Sequence, residues 1–160
     1  MGRLLGAALA FVAVVGLIPS AAAEPPADAC SPAEVKRAMT QAQASTKDAS
    51  ARTEAVRTAF RTRLESCVMA RLEWVKTSPV DDPATWSLAR RDATAYLQTL
   101  FAGGVLSGTT PSQAYKVVCD HTTMVGEHLA PDQLRVILAA AITRPGELEQ
   151  TQLTIRSSAH

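Results

Sequence analysis

The stretch GGVLSGTTPSQAYKVVCDHTTMVGEHLAPDQLRVILAAAITRPGEL, residues 103–148, decides the fold. Gly103-Gly104 and Gly108 punctuate its start, where a turn is expected. Ala114 to Cys119 then alternates, with Tyr115, Val117 and Cys119 on one side and Lys116 on the other. That period of two predicts a short strand. A polar connection follows. Leu134 to Ile142 is apolar on both faces, with Leu134, Val136, Leu138, Ala140 and Ile142 opposite Ile137, Ala139 and Ala141. Such a run suits the central strand of a sheet, although on propensity alone the Ala-rich stretch Leu134 to Ala141 can also be helical. Arg144-Pro145-Gly146 turns the chain. Leu148 to Arg156 alternates again, Thr151, Leu153 and Ile155 against Gln150, Gln152 and Thr154, as a half-exposed strand does.

Upstream of this sheet the pattern is helical. Ser31-Pro32-Ala33-Glu34 combines an N-cap serine, a proline at the first helical position and a glutamate three residues after the cap. From Pro32 to Thr77 no other Gly or Pro occurs. Apolar residues recur at helical spacing: Val35, Met39, Ala42, then Ala49, Val56, Phe60, Leu64, Cys67, Val68 and Val75. Arg52, Arg57, Arg61, Arg63 and Arg71 fall largely off that face and read as solvated. A single helix of this length would extend about 68 Å. The polar run Ala44 to Ser50 is its weakest part, with Asp48 or Ser50 able to cap a second helix. Ser78 to Pro83 forms a loop. Asp82 and Pro83 start a further helix that runs through Trp86, Leu97 and Phe101 and stops at Gly103-Gly104. Thr110 is placed to cap a single helical turn at Pro111-Ser112-Gln113. These elements predict an α+β fold: an N-terminal helical hairpin and a further helix packed on a small, mainly antiparallel sheet of about three strands.

The N-terminus carries an export pattern. Met1-Gly2-Arg3 is a short positive region, Leu4 to Ile18 is unbroken and apolar, and Pro19-Ser20 ends it before Ala21-Ala22-Ala23. Cleavage between Ala23 and Glu24 is expected, giving a signal peptide over 1–23, a Pro-rich lead over 24–30 and one domain over 31–160. Leu4 to Ala23 is also close to the ~20 residues that span a bilayer. Pro19 and the Ala-x-Ala ending favour cleavage, with no stable membrane insertion afterwards and a periplasmic or secreted product. The 160 residues carry a formal charge of +1, with 47% hydrophobic and 19% charged residues. No basic stripe stands out, which argues against nucleic acid as a partner.

Export permits disulfides. A hairpin turning near Asp48 would bring Cys30 opposite Cys67, since both lie almost equally far from the turn. One continuous helix would hold them about 55 Å apart. A Cys30–Cys67 disulfide is therefore expected, with Cys119 left over. The alternative is three small buried thiols.

The residues Trp74-Val75, Asp81-Asp82-Pro83-Ala84-Thr85-Trp86, Arg90-Arg91, Tyr96-Leu97, Leu100-Phe101, Gly104-Val105-Leu106-Ser107-Gly108, Pro111-Ser112-Gln113-Ala114-Tyr115-Lys116-Val117-Val118-Cys119-Asp120, Thr122-Thr123-Met124 and Pro145-Gly146-Glu147-Leu148 together resemble the C-terminal domain of contractile tail sheath proteins. The resemblance is strongest over 74–155, and its most specific part is Gly104 to Asp120. It implies a structural, non-enzymatic role. Sheath subunits polymerise around a tube, and this domain accepts strands from neighbouring subunits, which is β-augmentation. A protein partner or self-association is the corresponding expectation.

One cluster offers chemistry. Cys119, His121 and His128 would be the residues of an exported small enzyme or metal-binding protein, the alternative function. A cysteine nucleophile needs a base beside it, and zinc needs ligands at a workable spacing. Cys119-Asp120 is also what the resemblance places at a strand end. The expectation is accordingly no catalytic residue, no metal and no cofactor. Trp74 and Trp86 flank the Asp81-Asp82 loop and are expected to hold it, with Arg90-Arg91 available to pair with Asp81 or Asp82. His160 is assigned no role.

Overall fold

The computed structural model describes residues 27–125 and 129–159. The signal peptide, the Ala23–Glu24 cleavage position and residues 24–26 of the lead lie outside the described residues, as do His128 and His160.

Helix α1 spans Pro32–Ala44 and α2 spans Ala49–Arg71. The Ser31 side chain accepts from the Glu34 N–H at 3.3 Å, with Pro32 at the first helical position. Between the two helices the polar run breaks the chain. The Ser45 hydroxyl donates back to Ala42 O at 2.6 Å, and the Asp48 carboxylate accepts from the Ala51 N–H at 2.8 Å. Side chains thus replace backbone partners at this point, and the long periodic run becomes a hairpin. The Ala51 N–H, then the Ser50 hydroxyl, hold the Asp48 carboxyl below its usual range. A disulfide joins Cys30, at the end of a 3-10 turn over Ala27–Cys30, to Cys67 on α2, with Cα atoms 5.6 Å apart. Cys119 is free and buried.

A second 3-10 turn, Glu73–Thr77, leads to the loop before α3, Pro83–Ala102. Asp82 caps α3, accepting from the Ala84 N–H at 2.8 Å. The two glycines that end this helix have different roles. Gly104 takes φ +66°, the left-handed conformation, while Gly104 N–H bonds Phe101 O and Val105 N–H bonds Leu100 O. That is a Schellman closure. Gly103 has an ordinary φ of −74°. A side chain there would meet Pro32, because an added Cβ would lie 2.4 Å from Pro32 Cβ. The end of α3 and the start of α1 therefore touch backbone to ring.

Two short helices, α4 (Pro111–Ala114) and α5 (His121–Met124), flank β1, Tyr115–Val118. Strands β2 (Gln133–Ala141) and β3 (Leu148–Arg156) complete an antiparallel sheet of order β1-β2-β3. The first strand is shorter than its alternation predicts. Ala114 closes α4 instead, its N–H bonding Thr110 O, and Cys119 lies past the strand end. Ile142 also falls outside β2, where its carbonyl accepts from the Ser107 hydroxyl at 2.9 Å.

The register pairs Leu134 with Ile155, Val136 with Leu153 and Leu138 with both Thr151 and Val117. These residues share the sheet face that α2 and α3 cover. Phe60, Leu64, Val68, Leu72, Tyr96, Leu97 and Leu100 meet them in one core. Burying a side chain of that size contributes about 1.5–3 kcal/mol. Ala89 and Ala93, fully buried one turn apart, let α3 lie close to its neighbours. On the opposite face Ala139 is buried between Lys116 and Gln150, its longer cross-strand neighbours.

Candidate functional site

Among the described residues, Cys119 is not set up as an activated nucleophile. Cys119 is 1% exposed, and its thiol is pushed up to about 12 by burial first, then by the Asp120 charge, with Arg90 opposing. A nucleophilic cysteine must be thiolate, and this buried thiol stays protonated at neutral pH. Asp120 caps α5. Its carboxylate accepts from the Thr122 hydroxyl at 2.6 Å and the Thr122 N–H at 2.8 Å. Its own N–H donates to Thr123 Oγ1 at 3.1 Å. The Thr122 hydroxyl is also the main cause of its carboxyl lying below the usual range. His121 is exposed at the first position of α5. Among the described residues no group of three or more His, Cys, Asp or Glu side chains is placed to hold a metal.

The tryptophans hold structure. Trp86 Nε1 donates to Val80 O at 2.6 Å, and Trp74 Nε1 donates to Asp92 Oδ2 at 3.2 Å. Arg91 does not reach Asp81 or Asp82. It meets its neighbour Asp92 at 3.1 Å, and Asp82 is engaged by the helix start it caps. The expected Arg-to-loop pairing is therefore replaced by a bond between adjacent residues.

The remaining feature is an edge. Strand β3 pairs only with β2 among the described residues, and it is nine residues long. The direction of its groups follows from one bond beyond its end: Ser157 N–H donates to Asp132 O at 2.8 Å, toward β2. Successive residues of a strand point their N–H and C=O alternately to the two sides. Ile155, Leu153, Thr151 and Glu149 therefore bond β2. Gln150, Gln152, Thr154 and Arg156 point theirs outward, and no backbone or side-chain partner meets those outward groups among the described residues. All four side chains are exposed. The bond from Ser107 N–H to Ala141 O is consistent with the same parity, since odd-numbered residues of β2 face β1.

The edge has a closed end. Ser158 N–H, pointing opposite to Ser157, donates to Lys76 O at 2.8 Å, and the Ser157 hydroxyl donates to Ser78 O at 2.6 Å. The 3-10 turn thus sits against the outer side of the chain just past Arg156. Beneath the other end, Arg57 Nε on α2 lies 2.7 Å from Glu149 Oε1. It is an ion pair by distance, but its N–H is not aimed at the carboxylate and makes no hydrogen bond. Arg156 pairs with Asp132 at 3.1 Å while its side chain stays 71% exposed.

Sequence reasoning named the strand but not its free groups. The signal was present in the run Glu149-Gln150-Thr151-Gln152-Leu153-Thr154, which lacks the proline or lysine that commonly guards an edge.

No protein-family model, curated protein or solved structure matches the chain. Among the described residues no helix is long and apolar enough to cross a membrane.

Proposed function

We propose that this chain is an exported, non-enzymatic structural or protein-binding module that works by strand addition at β3. The observation that carries the proposal is the outward row of N–H and C=O groups on Gln150, Gln152, Thr154 and Arg156, unpaired among the described residues and carried by exposed residues. Main-chain bonds of this kind supply the affinity in β-augmentation. The resemblance to the tail sheath C-terminal domain, whose function is to accept strands, supports the same reading. The signal-like N-terminus and the Cys30–Cys67 disulfide support a periplasmic or secreted location. The protonated, buried Cys119 gives no support to an enzyme or metal protein using Cys119, His121 and His128.

The test is a Gln152→Pro variant. Proline removes one outward N–H and no bond to β2, so the fold tolerates it as edge strands tolerate proline. Affinity capture from an envelope extract is expected to recover partners with the native protein and to lose them with Gln152→Pro. Partners retained equally by a folded Gln152→Pro protein overturn the proposal.

A further inference from the structure

The chemistry of the added strand can be specified from what flanks the edge, an inference that rests on the strand-addition reading above. A strand joining β3 would lie about 4.8 Å beyond it, with alternate side chains on the outer face and on the helical side. On the helical side the nearest element is α2. Two contacts show that α2 runs alongside β3 in the same direction. Arg57 meets Glu149 at one end, and Lys76, just past α2, meets Ser158 at the other.

Arg61 lies one turn beyond Arg57 on the same side of α2. It is exposed and has no carboxylate within 4.0 Å among the described residues; Glu65, a further turn on, does not reach it. Arg57 Nε is buried 2.7 Å from Glu149 Oε1, but the terminal nitrogens of its 35% exposed side chain make no hydrogen bond among the described residues and stay open to a guest carboxylate. Residues four apart on a helix are separated by about 6 Å along the axis. Alternate residues of a strand are separated by about 6.8 Å. The two guanidinium groups therefore match the spacing of two consecutive same-side residues on an added strand. Arg156 stands on the outer face of the same edge, mostly exposed. The outward-facing row between the ends, Gln150, Gln152 and Thr154, carries no charge.

We infer that β3 takes up an acidic extended polypeptide segment, one bearing carboxylates on alternate residues toward Arg57 and Arg61. Two carboxylates in that position would each meet a guanidinium, where lysines would meet like charge.

Three labelled nine-residue peptides test this, alternating Thr or Val with Glu, Gln or Lys, with binding followed by fluorescence anisotropy. The Glu peptide is expected to bind about tenfold more tightly than the Gln peptide, with the Lys peptide weakest, and to lose that advantage as salt shortens the screening length. Arg61→Glu, a change at an exposed residue whose side chain makes no hydrogen bond or ion pair among the described residues, is expected to abolish or reverse the preference. A second Glu peptide, N-methylated at the residues facing β3, is expected not to bind; this control leaves the protein unaltered. If all three unmodified peptides bind equally and N-methylation blocks them, the acidic preference is overturned and strand addition stands. If the N-methylated Glu peptide binds as well as the plain one, strand addition fails and the inference with it. If no peptide binds, the inference is overturned, and sedimentation then distinguishes an edge occupied by a second copy from one that takes no strand.

Discussion

Removing the Cys30–Cys67 bond is expected to cost the protein much of its stability. The bond closes a sequence separation of 37 residues. A cross-link over that length restricts the unfolded chain by about 4 kcal/mol in the chain-entropy treatment. Little else anchors the N-terminal segment. In α1 only Val35 is fully buried, and Met39 is partly buried against the core. The variant to make is Cys30→Ala with Cys67→Ala. Serine would instead place a hydroxyl at position 67, where the native side chain is 1% exposed. Urea unfolding followed by the fluorescence of Trp74 and Trp86 reads the change near the core. About 4 kcal/mol corresponds to a midpoint lowered by roughly 2 M urea and a melting temperature lowered by roughly 10–20 °C. Reducing the native protein to the two thiols should give the same shift without substituting any residue. Hydrogen exchange should show α1 opening before α2 and the sheet. A midpoint change worth less than ~1 kcal/mol in both the variant and the reduced protein would refute the reasoning, because the unfolded chain would then not be the state the bond restrains.

Three further outcomes follow from the core and its turns. Cys119 should resist thiol reagents at pH 8 in the folded protein and react once urea unfolds it; rapid labelling of folded protein would contradict its burial. Because the folded thiol titrates near 12 and its reference value is 9.0, the unfolded chain ionises first as pH rises. The contribution is therefore complete below about pH 9 and falls away between about 9 and 12, with Tyr96, also pushed up to about 12 by burial, adding to the same decline above pH 10. Unfolding midpoints that stay level across that window would refute this. Gly103→Ala should cost about 1–3 kcal/mol through its collision with Pro32, whereas Gly146→Ala, at φ +79° with nothing within 4 Å, should cost about 1 kcal/mol from backbone strain alone. Denaturation midpoints in the reverse order would show that α1 gives way at the Pro32 contact.

Local chemistry was readable wherever the partner lies close in sequence. Ser31 before Pro32 and Asp82 before Pro83 both mark helix starts that form as expected, because a cap needs only residues three positions away. The polar run Ala44 to Ser50 shows the hairpin for the same reason, and the hairpin places Cys30 by Cys67. Leu148 to Arg156 is a strand with its alternation intact. Features that depend on distant partners were not readable. Gly103 reads as a simple helix stop, since nothing nearby in sequence reveals that Pro32 rests on it. The first strand loses Ala114 to a helical turn whose carbonyl partner, Thr110, competes successfully with the sheet. The outward direction of Gln150, Gln152 and Thr154 depends on a single bond between Ser157 and Asp132, and period two alone is equally compatible with the opposite parity. Arg91 meets the adjacent carboxylate of Asp92 rather than the Asp81-Asp82 loop, whose Asp82 is already engaged by the Ala84 N–H.

The fastening of Ser157 and Ser158 to Lys76 and Ser78 has a consequence for growth. From Gln150 to Arg156 the free edge is seven residues, about 24 Å at 3.4 Å per residue, and the turn at Lys76 blocks it there. A guest strand cannot continue along this edge past Arg156, while no backbone bond closes it at the Leu148 end among the described residues. Open-ended stacking needs strands that run past one another with nothing across their path. An edge stopped at Arg156 denies that alignment in one direction, so on the proposed function a guest strand would join it in a limited register rather than slide along it.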